Sequence, residues 1–126
     1  MKSKKHILIV DDVTTNLRYI GEVLKENYIL SMAKSGEQVF KILEKARPDL
    51  ILLDIKMPQM DGFTVFSKLS SDEKFNSIPV IFLSGDNQEE NEVKGIELGA
   101  KDFIRKPFDP DDMVLRIERA LKNERS

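Results

Sequence analysis

The chain has 126 residues, of which 40% are hydrophobic and 33% are charged, and its formal net charge is −2. This length and composition predict a single globular domain and exclude intrinsic disorder and collagen-like repeats. A net charge this close to zero gives no broad basic field for nucleic acid or anionic lipid. Because the chain contains no cysteine, disulfides, thiolate nucleophiles and Cys-based zinc sites are also excluded.

The apolar runs of the chain are short. Leu50–Leu53, for example, is far shorter than the ~20 residues that a membrane-spanning helix needs, and the N-terminus lacks the apolar region of a signal peptide. We therefore expect a cytoplasmic protein that neither inserts into membranes nor binds nucleic acid directly.

Five segments have the composition of β-strands. In chain order they are Ile7–Val10, Tyr28–Ala33, Leu50–Leu53, Val80–Leu83 and Asp102–Arg105. The first, third and fourth are continuously apolar, which is typical of strands covered on both faces. The second and fifth are less apolar, so we expect them nearer the edges of the sheet.

Apolar residues at helical spacing predict a helix after each strand. The five predicted apolar faces are Leu17, Ile20 and Leu24; Val39, Ile42, Leu43 and Ala46; Phe63, Phe66 and Leu69; Val93, Ile96 and Ala100; and Val114, Ile117 and Leu121. Three helix-start signals support these assignments, namely Ser35 with Gln38, Asp86 with Glu89, and Asp109 before Pro110.

The strict alternation of strand and helix predicts an α/β fold, an open parallel sheet with helices on both faces and right-handed crossovers. We expect one domain over residues 1–126, with residues 1–5 as an N-terminal extension and residues 122–126 as a polar C-terminal tail.

Reactive side chains stand where four of the strands end, which is where open α/β sheets bind ligands. They are Asp11 and Asp12, Asp54, Ser84 and Lys106. Three neighbouring carboxylates repel one another unless a cation neutralises them, and an all-oxygen set favours a hard cation such as Mg²⁺. A lysine and a hydroxyl suit a phosphoryl group, so the residues predict a site for both Mg²⁺ and phosphate.

Four motifs occur in one order along nearly the whole chain. They are Ile-Leu-Ile-Val-Asp-Asp, Leu-Leu-Asp-Ile-Lys-Met-Pro-Gln-Met-Asp-Gly, Leu-Ser-Gly and Phe-Ile-Arg-Lys-Pro-Phe. Together they resemble the receiver domain of response regulators in two-component phosphorelays, the family of the chemotaxis receiver. The resemblance implies a flavodoxin-like sheet of strand order 2-1-3-4-5, which is the order found in the chemotaxis receiver itself.

The resemblance also implies a role for each matching residue. Asp54 would be the phosphoacceptor and also a metal ligand, and Asp12 would bind Mg²⁺ directly, with Mn²⁺ as a substitute for Mg²⁺. Asp11 would help to hold the metal through water or hydrogen bonds. The Lys56 backbone carbonyl would be a further metal ligand, and Ser84 and Lys106 would hold the phosphoryl oxygens.

Other matching residues would shape the site or respond to it. Pro58 and Gly62 would shape the loop after the acceptor, and the Lys106–Pro107 peptide bond would be cis. Phe103 would be an aromatic switch that turns inward as Ser84 moves, and so changes the surface formed by the fourth helix, fifth strand and fifth helix.

Three residues depart from the commoner family pattern. Ser84 replaces Thr, which weakens the rotamer restriction of the hydroxyl. Gly85 replaces Ala and adds backbone freedom. Phe103 replaces Tyr, so that any switch must rest on packing. We further expect Lys56 and Asp86, of opposite charge, to face each other across the site mouth and to restrict the attacking water.

The implied partners are a histidine kinase or a histidine phosphotransfer protein, and an output domain or protein of unknown identity. A phosphorylation-dependent homodimer is also expected. We expect a signalling phosphoacceptor that catalyses part of its own modification and has no ordinary turnover substrate.

Several other functions share parts of this pattern. A flavodoxin-like electron carrier is disfavoured because Asp11 and Asp12 would repel a flavin phosphate. An aspartyl-phosphate phosphatase of the haloacid dehalogenase type resembles Asp-x-Asp, but Lys56 stands two positions after Asp54. A P-loop nucleotide hydrolase lacks its signature sequence. A receiver-like docking module that is never phosphorylated remains the main alternative.

Overall fold

A computed structural model describes residues 4–85 and 89–123 of the chain. Its elements, in order, are β1 (His6–Val10), α1 (Thr14–Leu24), β2 (Ile29–Ala33), α2 (Gly36–Leu43), β3 (Leu50–Asp54), α3 (Gly62–Ser70), β4 (Val80–Ser84), α4 (Glu89–Leu98), β5 (Asp102–Arg105) and α5 (Pro110–Asn123). The five strands form one parallel sheet of order β2-β1-β3-β4-β5. The predicted α/β class and strand order are therefore confirmed.

Alternate residues of each central strand face opposite sides of the sheet and build two cores. One core joins the strands to α2 and α3 through residues such as Leu53, Phe82 and Val65. The other joins them to α1 and α5 through residues such as Ile9 and Ile117. The sheet is covered on both faces, which explains why the central strands are continuously apolar.

Two predicted helix starts are present as hydrogen bonds. The Ser35 hydroxyl accepts from the Gln38 amide at 3.2 Å, while the Gln38 side chain accepts from the Lys34 amide at 2.7 Å. The Asp109 carboxylate accepts from the Asp111 amide at 3.0 Å, ahead of α5. The third predicted start, at Asp86, lies outside the described residues.

The predicted apolar face of α4 is wrong at two of its three residues, while the third, Ala100, is buried just after the helix ends. Val93 and Ile96 are 56% and 49% exposed, and among residues 90–98, whose burial is described, the buried one is Gly95. A Cβ built at Gly95 would lie 2.9 Å from the Phe82 ring and 3.2 Å from the Phe103 ring. These rings occupy the space beneath α4, so the side of the helix without a side chain faces the sheet.

The predicted face of α2 is wrong at one residue. Val39 and Leu43 are buried, but the helix ends at Leu43, and Ala46 is exposed in the segment that follows. In the part of the chain that the structure describes, no helix combines the length and apolar character needed to cross a membrane.

Gly62 fixes the approach of α3 to the end of β3. Its amide donates to the Ile55 carbonyl at 2.7 Å. A Cβ at this position would collide with the Asp54 carbonyl oxygen and lie 2.9 Å from the Ile55 Cα. These are backbone atoms that cannot rotate away, so the contact requires glycine.

We expect Gly62→Ala to lower the free energy of unfolding by about 2 kcal/mol, because the added methyl overpacks against backbone. Chemical denaturation measures the change. Gly85→Ala is the matched control, since a Cβ there meets nothing closer than the Lys106 Cδ at 3.8 Å. Equal stabilities of the two variants would contradict the assigned close contact.

Candidate functional site

The carboxyl ends of the central strands bring the predicted site residues together. Asp11 follows β1, Asp54 ends β3, and Ser84 ends β4. These three strands are neighbours in the sheet, so their ends lie side by side. Lys106 follows β5, and its amide donates to the Ser84 carbonyl at 2.8 Å, which ties the fifth strand end to the fourth.

Three carboxylates form a cluster that could hold a metal ion. One oxygen from each of Asp11, Asp12 and Asp54 lies within 4.8 Å of the others. Asp11 is fully buried and Asp54 is 3% exposed, whereas Asp12 is partly exposed. The cluster therefore presents an open side at Asp12 and two desolvated carboxylates behind it.

Lys106 bridges the two buried carboxylates. Its Nζ lies 3.1 Å from Asp54 Oδ1 and 3.3 Å from Asp11 Oδ2. Burial would lower the pKa of Lys106, but the carboxylates of Asp54 and Asp11 outweigh it and hold the pKa above its ordinary value. One ammonium thus shares two buried negative charges, and Asp12 adds a third at the open side.

The Asp54 carboxyl group has a strongly altered acidity. Burial and the charge of Asp11 raise its pKa from 3.8 to about 7, although Lys106 acts in the opposite direction. Ionising Asp54 is therefore harder in the folded protein than in a free aspartate side chain, and a further positive charge in the cluster would favour the ionised form.

Asp11 is held at both of its carboxylate oxygens. Oδ1 accepts from the Val13 amide at 2.9 Å, and Oδ2 accepts from the Asn16 side-chain amide at 3.1 Å. Asn16 was not among the predicted site residues. Its only sequence signal is its place five residues after Asp11, on the first turn of the following helix.

Ser84 contributes a hydroxyl that lacks a partner. The residue is 1% exposed, and its Oγ makes no hydrogen bond to any described residue. Buried hydroxyls are normally paired, so this one is available to an incoming acceptor.

A cavity of about 280 Å³ connects these groups. Its lining includes Asp12, Asp54, Ser84 and Lys106, together with Asn91 from α4. A larger groove of about 700 Å³ runs along α3 and the segment after it, but no residue of the carboxylate cluster lines it. The smaller cavity is therefore the candidate site, because two of the carboxylates, the hydroxyl and the lysine line it.

The loop after Asp54 contains three further predicted residues. Lys56 is exposed and lines the cavity. The Pro58 carbonyl accepts from the Met60 amide at 2.8 Å, with Gln59 between them at φ 69°. Gly62 then closes the loop against the end of β3.

The last predicted features lie around β5. The Lys106–Pro107 peptide bond is cis. Phe103 is half-buried and stacks on Phe82, with ring centroids 6.5 Å apart. The predicted ion pair between Lys56 and Asp86 cannot be located, because Asp86 lies outside the described residues.

The raised pKa of Asp54 predicts an unusual pH dependence of stability. The folded state holds the Asp54 proton up to about pH 7, whereas the unfolded chain releases it near pH 4. Between these values the folded state binds more protons, so Asp54 lowers stability progressively as pH rises from about 4 to 7.

We therefore expect Asp54→Asn to be more stable than the unchanged chain at pH 8 in a metal-free buffer, by on the order of 2 kcal/mol. The difference should shrink as pH falls through 7 towards 5, as followed by urea denaturation. Asp109→Asn is the control, because asparagine caps a helix as well as aspartate does. A difference that grows towards pH 5 would contradict the assigned shift.

Comparison with known proteins places this geometry in one family. The model of the response regulator receiver domain matches residues 7–118. The response regulator PleD of Caulobacter vibrioides is 39% identical over 91% of this chain and 25% of its own length. The phosphate regulon transcriptional regulatory protein PhoB of Pseudomonas aeruginosa is 36% identical over 94% of this chain and 52% of its own length.

Solved structures agree with the sequence relatives. The crystal structure of the receiver domain of NtrX from Brucella abortus matches with a TM-score of 0.86 and 30% identity, over 92% of this chain and 98% of that one. This chain spans between a quarter and about half of the two curated relatives. The fold, the matched segment and these similarities show that the chain belongs to the response regulator receiver domain family of two-component signalling systems.

Proposed function

We propose that this domain accepts a phosphoryl group on Asp54 from the phosphohistidine of a histidine kinase or phosphotransfer protein, in a reaction that requires Mg²⁺. The observation that carries the proposal is the arrangement of Asp54 itself. Its carboxylate is nearly buried, lies in a cluster with Asp11 and Asp12, and contacts Lys106 at one end of an open cavity.

The donor set fits a magnesium ion. All three side-chain donors are carboxylate oxygens, and Mg²⁺ is commonly held by one or two carboxylates, waters and phosphate oxygens. Asp12 and Asp54 would be direct ligands, with the Lys56 backbone carbonyl as a third, and Asp11 would act through water or hydrogen bonds. When bound, Mg²⁺ neutralises the clustered charge and stabilises the charge that develops on the transferred phosphoryl group.

Asp54 is the nucleophile of the proposed reaction. One carboxylate oxygen forms a bond to phosphorus while the bond between phosphorus and the donor's imidazole nitrogen breaks. The imidazole leaves with that electron pair, and an acyl phosphate remains on Asp54. Asp54 must be ionised to attack, and its raised pKa disfavours the ionised form. A second cation beside this carboxyl group would lower that pKa and so favour the reactive form.

Ser84 and Lys106 would receive the phosphoryl oxygens. The Lys106 ammonium provides a positive charge 3.1 Å from Asp54 Oδ1. The unpartnered Ser84 hydroxyl lines the same cavity and provides a donor. Phosphoryl transfer depends mainly on such positioning and charge neutralisation, so these side chains suffice for the protein's part in it.

The signal would leave the site through Phe103. Movement of Ser84 towards the phosphoryl group would free space for the ring and change the surface of α4, β5 and α5. Because Phe103 has no hydroxyl, this two-state change would rest on packing alone. Lys56 with Asp86 at the site mouth would slow hydrolysis of the acyl phosphate by restricting the attacking water.

The same proposal implies a location and an output partner for the domain. A cytoplasmic location would give it access to its phosphodonor, and the changed surface would act on an output domain, a separate protein or a second phosphorylated copy. PleD is named a response regulator and PhoB a transcriptional regulatory protein. Outputs of that kind would belong to segments other than this domain.

Treatment with a small phosphodonor such as acetyl phosphate tests the proposal. We expect the mass of one phosphoryl group to be added in the presence of Mg²⁺ or Mn²⁺ and not in EDTA, as read by intact mass spectrometry. Asp54→Asn should abolish the addition. Asp61→Asn, which preserves a helix cap, should not.

Beryllofluoride, which mimics the phosphoryl group, supplies a second readout through the rise in unfolding temperature. Addition of phosphate to Asp54→Asn at the rate of the unchanged protein would refute the assigned acceptor. Metal-independent modification would refute the Mg²⁺ requirement.

Ser84 offers a prediction that separates resting stability from phosphoryl binding. Ser84→Ala removes an unsatisfied buried hydroxyl, so the free energy of unfolding should stay the same or rise by up to about 1 kcal/mol. Beryllofluoride affinity should fall about tenfold or more, because a hydrogen bond to a charged acceptor is lost.

The measurements are urea denaturation and a beryllofluoride titration at saturating Mg²⁺. Ser84→Thr is the matched control, since it keeps the hydroxyl and should keep the affinity. Equal beryllofluoride affinity in Ser84→Ala would show that this hydroxyl has no part in phosphoryl binding.

A further inference from the structure

Asn16 makes a contact that the proposed function does not yet use. It lies in the first turn of α1, and its Nδ2 donates to Asp11 Oδ2 at 3.1 Å. The same oxygen lies 3.3 Å from Lys106 Nζ. Asp11 is fully buried, so the protein rather than solvent must satisfy its carboxylate.

The start of α1 is built around the Asp11 carboxylate. Val13 occupies the N-cap position without a side-chain hydrogen bond of its own, and its amide donates instead to Asp11 Oδ1. Asparagine is a weaker helix former than alanine or leucine. Its presence in this first turn is explained by the amide that it directs back to Asp11.

We propose that Asn16 is a positioning residue for the phosphorylation site. Its neutral amide holds the Asp11 carboxylate in the orientation that serves Mg²⁺, and keeps Oδ2 hydrogen-bonded when Lys106 moves to a phosphoryl oxygen. The inference deepens the proposed function and rests on it.

The two roles of Lys106 make this contact necessary. In the resting site its ammonium contacts both Asp54 and Asp11. In the proposed reaction it must turn to the phosphoryl group, which would remove a donor from buried Asp11 Oδ2. Asn16 remains as a donor to that oxygen, so Lys106 can leave without exposing an unsatisfied charge.

Without Asn16, the described donor left at Oδ2 is Lys106. The ammonium would then hold Asp11 more firmly and compete with the incoming metal ion for the same carboxylate. Groups that orient metal ligands through hydrogen bonds typically change metal affinity by about 10–100-fold when they are removed. An effect at the lower end is expected, because Val13 still holds Oδ1.

The test compares Mg²⁺ binding in four variants by isothermal titration calorimetry. Asn16→Leu removes the amide while keeping a similar size, and Asn16→Ala removes it while improving helix propensity. Asn16→Gln keeps an amide on a longer side chain. Thr15→Val is the control, as a neighbouring exposed residue of the same turn.

We expect Asn16→Leu and Asn16→Ala to weaken Mg²⁺ binding about tenfold. Asn16→Gln should recover part of the loss, and Thr15→Val should match the unchanged chain. The Mg²⁺ concentration for half-maximal beryllofluoride binding should rise by the same factor, whereas the extent of binding at saturating Mg²⁺ should not change. A merely structural role would lower stability without this split.

Mg²⁺ affinity unchanged in both Asn16→Leu and Asn16→Ala would overturn the inference and leave the proposed function standing. A failure of the unchanged chain itself to bind Mg²⁺ would overturn both. Circular dichroism checks that each variant is folded at the temperature of the titration, and Asn16→Ala keeps the test decisive should Asn16→Leu not fold.

Discussion

The contact of one lysine with two buried carboxylates is the constraint on which this domain depends. Asp11 and Asp54 lie within reach of Lys106, and with Asp12 they place three acidic groups around one ammonium. This excess of acidic groups over positive charge contributes to the raised pKa of Asp54. In the resting site the raised pKa lets Asp54 keep its proton up to about pH 7, and in the proposed reaction a second cation would favour the ionised form. The proposed requirement for Mg²⁺ and the proposed role of Asp54 as nucleophile would therefore have the same electrostatic origin.

The parallel sheet holds these acidic groups close together despite their mutual repulsion. β1, β3 and β4 are buried on both faces and anchor the carboxylates at their ends through many apolar contacts. Three neighbouring parallel strands necessarily end on the same edge of the sheet. Gly62 lets α3 approach the end of β3, and the Asp11 carboxylate organises the start of α1. Gly62 and Asp11 thus position α3 and the start of α1 beside the carboxylate cluster.

Sequence patterns predicted the sheet well because continuous apolar runs reflect two-sided burial, and the acidic and lysine residues followed from their places at strand ends. The inward face of α4 was predicted wrongly. The spacing of Val93 and Ile96 indicated an apolar face, but the Phe82 and Phe103 rings leave room there only for Gly95. Asn16 was missed because its bond to Asp11 depends on the turn between β1 and α1, which no residue pattern encodes.

The unusual packing of α4 bears on how a phosphorylation signal could leave the site. The contacts of this helix with the sheet include Gly95 against the Phe82 and Phe103 rings, whereas Val93 and Ile96 are half-exposed. A bidentate ion pair adds to them, in which Arg105 on β5 donates to both Glu92 oxygens at 2.7 and 2.8 Å. Arg105 is mostly exposed in this pair, with 68% of its side chain accessible, whereas only 15% of the Glu92 side chain is. In the proposed switch, a change in the position of Phe103, one of the two rings beneath α4, would act directly on this helix. The same close packing that defeated the sequence pattern would therefore couple α4 to Phe103 in the proposed switch.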